Sequence, residues 1–465
     1  MKKLVSVIAL ASLVALGGSA IADLCTIDAR PAATLLLPHF EVDTAIPPTK
    51  DTFFSVNNAS AAAVLTHVIF WTDWSIEALD FHIYLTGYDT QLVNMGDIIR
   101  NGNLPVTAPE DDISPVGPFS LGQGSYANCG SILPYTNPAL INQVDGQGHT
   151  QLAHVQAALT GNEDPFFGGC AGQSFGDTIA RGYVTVDVVK DCTLKVPCDT
   201  GYYEADGSGV GDYTNVIWGD YYLIDYANAA ATGDTLVHVE ADPTYLPGGQ
   251  PDGKLGNGSF WNRCSLGAAP YADYREPLGT TYAAHYYADS SIGVGAWVDV
   301  WRDDLDNCQD ANTCEVSCGD TPTAIADQTT RQVVVFDNEE NTFIPVCPIS
   351  PCPPGVNVNF QLETQRVSVT DPVTGGGLGA TEPDGWIYLN LNQVCGTDQN
   401  GQPNASCLDQ AYVSVHEQAG SYAAGLSAAQ LDSVCDDASV ILGVPPDFPA
   451  FDPVCDPYSG AGCAF

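Results

Sequence analysis

Leu79-Asp80-Phe81-His82-Ile83-Tyr84-Leu85-Thr86 alternates apolar and polar side chains without a break. A β-strand turns successive side chains to opposite faces, so Leu79, Phe81, Ile83 and Leu85 would line a buried face, with Asp80, His82, Tyr84 and Thr86 opposite. The same period returns in 183–188, where Val184, Val186 and Val188 oppose Tyr183, Thr185 and Asp187. Further β-rich runs occupy 64–71, 236–240, 297–301, 333–336, 386–391 and 412–415, and clusters of Gly, Pro, Asn and Asp punctuate them. Many short strands with turn chemistry between them predict an all-β protein of β-sandwich domains with long, disulfide-pinned loops. A few short helices are expected. One is Gln151–Thr160, with Leu152, Val155 and Leu159 on one stripe and Gly161 as a stop; another is 428–434.

Residues 1–22 read as a signal peptide: Lys2 and Lys3, an apolar stretch from Leu4 to Leu16, then small residues ending at Ala20 and Ala22. The expected address is exported, meaning periplasm, cell surface or extracellular space, and no later run reads as a transmembrane segment. Removing that segment takes two of the 14 basic residues and none of the 56 acids, leaving 12 − 56 = −44. So acidic a chain is a poor partner for nucleic acid and a plausible holder of cations. After Arg366 there is no further Lys or Arg.

The 16 cysteines all follow the signal segment, and in an oxidising compartment they read as disulfides. Cys192 with Cys198, Cys347 with Cys352, and Cys455 with Cys463 are spaced for short staples, and Cys395 and Cys407 are further candidates; spacing alone leaves connectivity open. No C-x-x-C-H haem motif and no pair of C-x-x-C zinc motifs is present.

At about 443 residues the mature chain exceeds one usual core. The expected division is a sandwich over 23–121, a strand-containing elaboration over 122–269, and a second β-rich, acidic, Cys-rich region over 270–465. An internal echo supports two units. Thr52-Phe53-Phe54 leads into a run ending Trp71-Thr72-Asp73, and Thr281-Tyr282-Ala283 leads likewise to Trp301-Arg302-Asp303.

Chemical motifs are sparse. Gly172-Gln173-Ser174-Phe175-Gly176 matches the G-x-S-x-G elbow, which needs a strand before the serine and a helix after it; Ser174 would be the nucleophile, with His238 or His285 as base. Asp304, Asp306, Asp310, Asn312 and Glu315 echo the oxygen spacing of a calcium loop, although Cys308 and Gln309 break the pattern. Calcium is thus the one candidate cofactor. His67 and His82 could meet across a hairpin beside Asp73 or Asp80. The pairs Tyr202-Tyr203, Tyr221-Tyr222 and Tyr286-Tyr287, with Trp218 and Tyr226, would serve either as core or as platforms for sugars.

Several segments together resemble an uncharacterised family of secreted bacterial proteins. They are Thr34-Leu-Leu-Leu-Pro-His-Phe-Glu-Val-Asp43, Trp71-Thr-Asp-Trp74, Leu79-Asp-Phe-His-Ile-Tyr-Leu-Thr-Gly-Tyr-Asp89, Ala180-Arg-Gly-Tyr-Val-Thr-Val-Asp187, Gly233-Asp-Thr-Leu-Val-His-Val-Glu-Ala-Asp242 and Arg275-Glu-Pro-Leu278. The resemblance spans most of the mature chain and implies a bacterial, exported origin without assigning any activity. The expected function is non-enzymatic: a surface, adhesive or structural role, with self-assembly or cell-surface glycans as partners. The alternatives are a secreted hydrolase of glycans or esters, and a carbohydrate-binding module.

Overall fold

A computed structural model describes most of residues 29–107, 139–241, 273–303, 332–343, 360–391 and 410–431, with short pieces near 118–129 and 260–261. The signal segment, the calcium candidates Asp304, Asp306, Asp310, Asn312 and Glu315, and Cys347, Cys352, Cys395, Cys407, Cys455 and Cys463 lie outside the described residues. The fold is all-β, in antiparallel sheets.

In chain order the first strands are β1 (Thr34–Asp43), β2 (Lys50–Asn58), β3 (Val64–Trp71), β4 (Glu77–Leu85), β5 (Thr90–Asn94), β6 (Ile179–Val189), β7 (Ile217–Trp218), β8 (Asp220–Asp225), β9 (Ala230–Thr235) and β10 (Val237–Val239). They form two sheets, ordered β10-β1-β6-β3-β4 and β5-β2-β8-β9, with β7 pairing β2. Leu35, Phe40, Phe70 and Phe81 from one sheet meet Phe54, Val56 and Tyr221 from the other in a shared core. Burying such side chains is worth about 1.5–3 kcal/mol each, which sets the alternation seen in the sequence.

The second set is β11 (Thr281–Tyr287), β12 (Val294–Asp303), β13 (Gln332–Asp337), β14 (Thr342–Phe343), β15 (Thr364–Ser368), β16 (Asp384–Asn390), β17 (Gln410–Ala419), β18 (Tyr422–Ser427) and β19 (Ala429–Gln430). The sheets β14-β13-β16-β11-β19 and β15-β12-β17-β18 enclose a separate core that includes Tyr282, Val298, Val300, Ile387 and Val413. In both units the echoing strands, β2 with β3 and β11 with β12, lie in different sheets.

Three expectations change. The stretch 122–269 is no elaboration, since β6 sits between β1 and β3 and β8 lies beside β2; the cut at 121 divides one sandwich. Local pattern shows where strands are but not which strands pair. Cys192 bonds not to Cys198 but to Cys129, 63 residues earlier, and Cys198 is disulfide-bonded elsewhere, as is Cys170. Closing a loop that long restrains the unfolded chain more than a six-residue staple would, an effect of about 2–4 kcal/mol. Ala429–Gln430, expected in a helix, instead pairs with Tyr282 and Ala283 of β11. On the face of β4 opposite the apolar one, His82 and Tyr84 are buried as well.

The helix α2 (Gln151–Thr160) follows α1 (Met95–Ile99) and ends as its sequence requires: Thr150 accepts from the Ala153 N–H, and Gly161 adopts the left-handed conformation, φ 63°. No helix among the described residues is long and apolar enough to cross a membrane.

Candidate functional site

Alternate residues on β12 part to opposite sides. Ala296, Val298 and Val300 enter the second core, which leaves Trp297, Asp299 and Trp301 on the outer face. That face is not solvent. Neighbouring β15 and β17 present Thr364, Arg366, Ser414 and His416 on it, and it presses on β1, β8 and β9 of the first sandwich. At one end the joint is aromatic. Trp71 stacks on Tyr183 at 6.0 Å, Trp301 meets the same ring edge-on at 5.9 Å, and Phe260 stacks on Trp301 at 5.6 Å. The two echoing tryptophans thus converge on one tyrosine.

The other end of the joint is ionic. Arg366 holds Asp299 with two 2.6 Å bonds and reaches Glu41 of β1 at 2.8 Å. Lys50 donates to the same Glu41 oxygen at 2.7 Å, Arg181 stands 3.7 Å from its partner oxygen, and His416 lies 3.0 Å from Asp299. Burial would push the Glu41 carboxyl up, but the Arg366 and Lys50 charges hold it down at about 2. Asp299 is kept well below the usual carboxylate range, against its own burial, by Arg366 and then His416. His39 is buried beside them. Its Nδ1 bonds the Thr364 hydroxyl at 2.9 Å, and burial lowers its pKa to about 4 even though Asp299 pulls the other way. Arg100 adds a fourth cation nearby, bonding the Asp43 carbonyl and the Asp51 carboxylate at 2.7 Å each. In a chain so poor in cations, four of them gather around one joint.

Beside this network the sandwiches stand apart, leaving an open cleft of about 340 Å³. Its wall on the first sandwich carries Glu41, Lys50, Asp225 and Thr232; its wall on the second carries Trp297, Arg366, Gln418 and Ala423. Asp225 crosses the rim: its carboxylate accepts from Asn228 at 2.7 Å and from Gln418 at 3.1 Å. Burial tends to raise its pKa, but those two bonds lower it overall. The charge at this site is therefore fixed. Glu41 and Asp225 stay ionised at any ordinary pH, so neither is suited to donate a proton.

Sequence reasoning missed this site because a polar alternation on a strand reads as a solvent face. The available signal was the scarcity of cations, since Lys50, Arg100, Arg181 and Arg366 are a third of the 12 that follow the signal segment.

The residues singled out from sequence are placed differently. Ser174 is exposed in the loop between α2 and β6, so a helix precedes it and a strand follows, the reverse of the elbow. His238 is buried with Nε2 accepting from the Gly219 N–H at 3.3 Å, while His285 is exposed on β11. A fluorophosphonate probe should label neither the native protein nor Ser174→Ala, and the substitution should move stability by no more than about 0.5 kcal/mol in urea titration. Selective labelling of the native form would restore Ser174 as a nucleophile.

His67 and His82 do meet, stacked at 4.4 Å. His67 bonds Tyr202 at 3.1 Å and Asp80, not Asp73, at 3.0 Å; His82 accepts from the Thr193 N–H at 3.2 Å. Tyr202 in turn donates to Asp187, which also bonds Thr34 and lies 3.5 Å from Arg275. This chain of bonds satisfies the polar face of the first sheet under cover. Both His67 nitrogens are engaged, and no group of three metal-ligating side chains occurs among the described residues. Of the aromatic candidates, Tyr202, Tyr203, Tyr221 and Tyr286 are buried, whereas Trp218, Tyr222, Tyr226 and Tyr287 are exposed. Comparison with known protein families, curated proteins and solved structures finds no match to the chain.

Proposed function

We propose that this is an exported, non-enzymatic β-sandwich protein with an adhesive role, which binds its partner in the cleft between its two sandwiches. The observation that carries the reading is the cleft itself: a concave polar site at a joint crossed by the Tyr183–Trp301 ring contact and the Arg366–Glu41 ion pair, and hence preformed. A glycosidase would need one carboxyl with a raised pKa beside an ionised one. Here Glu41 and Asp225 are both shifted down, which favours holding a ligand over cleaving it. Export rests on the signal-like start and the cysteine count.

The test is retention of the oxidised protein on arrays carrying glycans and extracellular proteins, run with and without Ala423→Arg, which fills the cleft from the edge of β18. Retention of the wild type that the variant loses supports the reading. No retention, or retention indifferent to the filled cleft, removes the site; release of cleaved product from the captured ligand would make the protein a hydrolase.

A further inference from the structure

Among the described residues Trp297 is the one aromatic ring in the cleft wall, and its neighbour Gly295 explains how it is held. The two residues share a face of β12. A Cβ at position 295 would come within 2.6 Å of Cη2 and 3.1 Å of Cζ2 of the indole. Only glycine lets the six-membered ring lie down along the strand, and this turns a broad aromatic surface into the wall of a polar cleft. Apolar contact over a flat ring combined with hydrogen bonding at its margin suits a ligand with both a C–H face and a rim of hydroxyls.

The charges narrow the class further. Arg366 is committed to Asp299 and Glu41, and Lys50 to Glu41, so among the described lining residues each cation already faces a carboxylate. The carboxylates lining it, Glu41, Asp51 and Asp225, accept hydrogen bonds and repel negative charge. Lys50, about a third exposed, uses one of its three N–H donors on Glu41, and Gln418, whose amide N–H groups go to Asp225 and the Gly420 carbonyl, adds a carbonyl oxygen at the opposite wall. The cleft wall that holds the ring thus offers several acceptors and an ammonium donor without a net positive charge.

We propose that the cleft takes a terminal neutral sugar ring, stacked on Trp297, with its hydroxyls held by Asp225, Lys50 and Gln418. This rests on the reading of the cleft as a binding site and names its ligand class. The volume lies at the small end of the roughly 300–1,000 Å³ usual for ligand sites, which suits the end of a glycan better than a long stretch of one.

The experiment is a titration of the full oxidised chain with the methyl glycosides of glucose, galactose and mannose, with glucuronate as the charged counterpart, followed by tryptophan fluorescence and calorimetry. At least one neutral glycoside should bind saturably and tighter than glucuronate. Trp297→Ala should weaken that binding about tenfold, Trp297→Phe by only about threefold, and Gly295→Ala should weaken it by displacing the ring, all with thermal midpoints near the wild type's. Three results overturn the proposal: no neutral glycoside binds, glucuronate is preferred, or binding is unchanged in Trp297→Ala. If array ligands are lost in Ala423→Arg but kept in Trp297→Ala, the cleft remains the binding site and the stacked sugar is wrong.

Discussion

Arg366→Met should destabilise the protein by about 3–5 kcal/mol and separate its unfolding into two transitions, one for each sandwich. The arginine is the hub of the ionic end of the joint, with Asp299 behind it and Glu41 across from it. Both carboxylates are buried, and removing one partner of a buried pair leaves an uncompensated charge, the costly case. His416 alone would remain beside Asp299, and Lys50 with the more distant Arg181 beside Glu41. The two cores are separate, so weakening what joins them uncouples their melting. Calorimetry checks both parts. A single transition with less than about 1 kcal/mol lost would show that the aromatic end carries the joint alone. The same network predicts acid unfolding. Glu41 and Asp299 are ionised in the fold below the pH at which the unfolded chain binds protons, so their contribution, complete above about pH 5, is lost as pH falls toward 2.

Asp73→Asn should have the opposite effect, raising stability by about 2–4 kcal/mol at pH 8 and by nothing at pH 4. Asp73 is fully buried at the end of β3, where one oxygen accepts from the Gln173 N–H at 2.9 Å. Burial raises its pKa to about 7 despite that bond. The folded state therefore holds the proton far above the unfolded value of 3.8. Stability from this group is complete below about pH 4 and is lost as pH rises through 7; three units are worth about 4 kcal/mol. Asparagine keeps the acceptor and removes the titration. His39 runs the other way: with its pKa lowered to about 4, its contribution is complete above 6.5 and is lost as pH falls to 4, by about 3 kcal/mol. In the native protein the two slopes oppose each other across that window and flatten the profile. Urea titrations in pH steps should thus show a steep variant profile against a flat native one. Parallel profiles would mean that Asp73 is ionised in the fold.

Much of the fold was legible because burial writes a period of two into a strand. Leu79, Phe81, Ile83 and Leu85 are buried as their alternation requires, and α2 begins and ends at Gln151 and Thr160 because Thr150 and Gly161 cap it. What lay opposite those apolar residues was not legible. His82 and Tyr84 look like solvent-facing residues, yet covering segments that carry Cys192, Tyr202 and Tyr203 lie over them. The cleft was hidden for a related reason. Trp297, Asp299, Arg366 and His416 are scattered over three strands, and only pairing between β12, β15 and β17 makes them neighbours. Of the helix expected over 428–434, Ala429 and Gln430 form a strand instead, because alanine fits a helix well but is equally small enough to sit at the edge beside β11; 432–434 lie outside the described residues.

The placement of β6 governs the order in which the molecule can be assembled. Among the described residues β1 pairs only with β6 and β10, so Thr34 must wait for Asp187, 153 residues later, before its ladder can close. Until then a strand of ten residues has both its edges open, while only β3 and β4 can form a local hairpin. Such long-range closure is slow and leaves the nascent chain exposed to mispairing. A polypeptide of this topology can complete its first sheet only after the greater part of its first sandwich has left the ribosome.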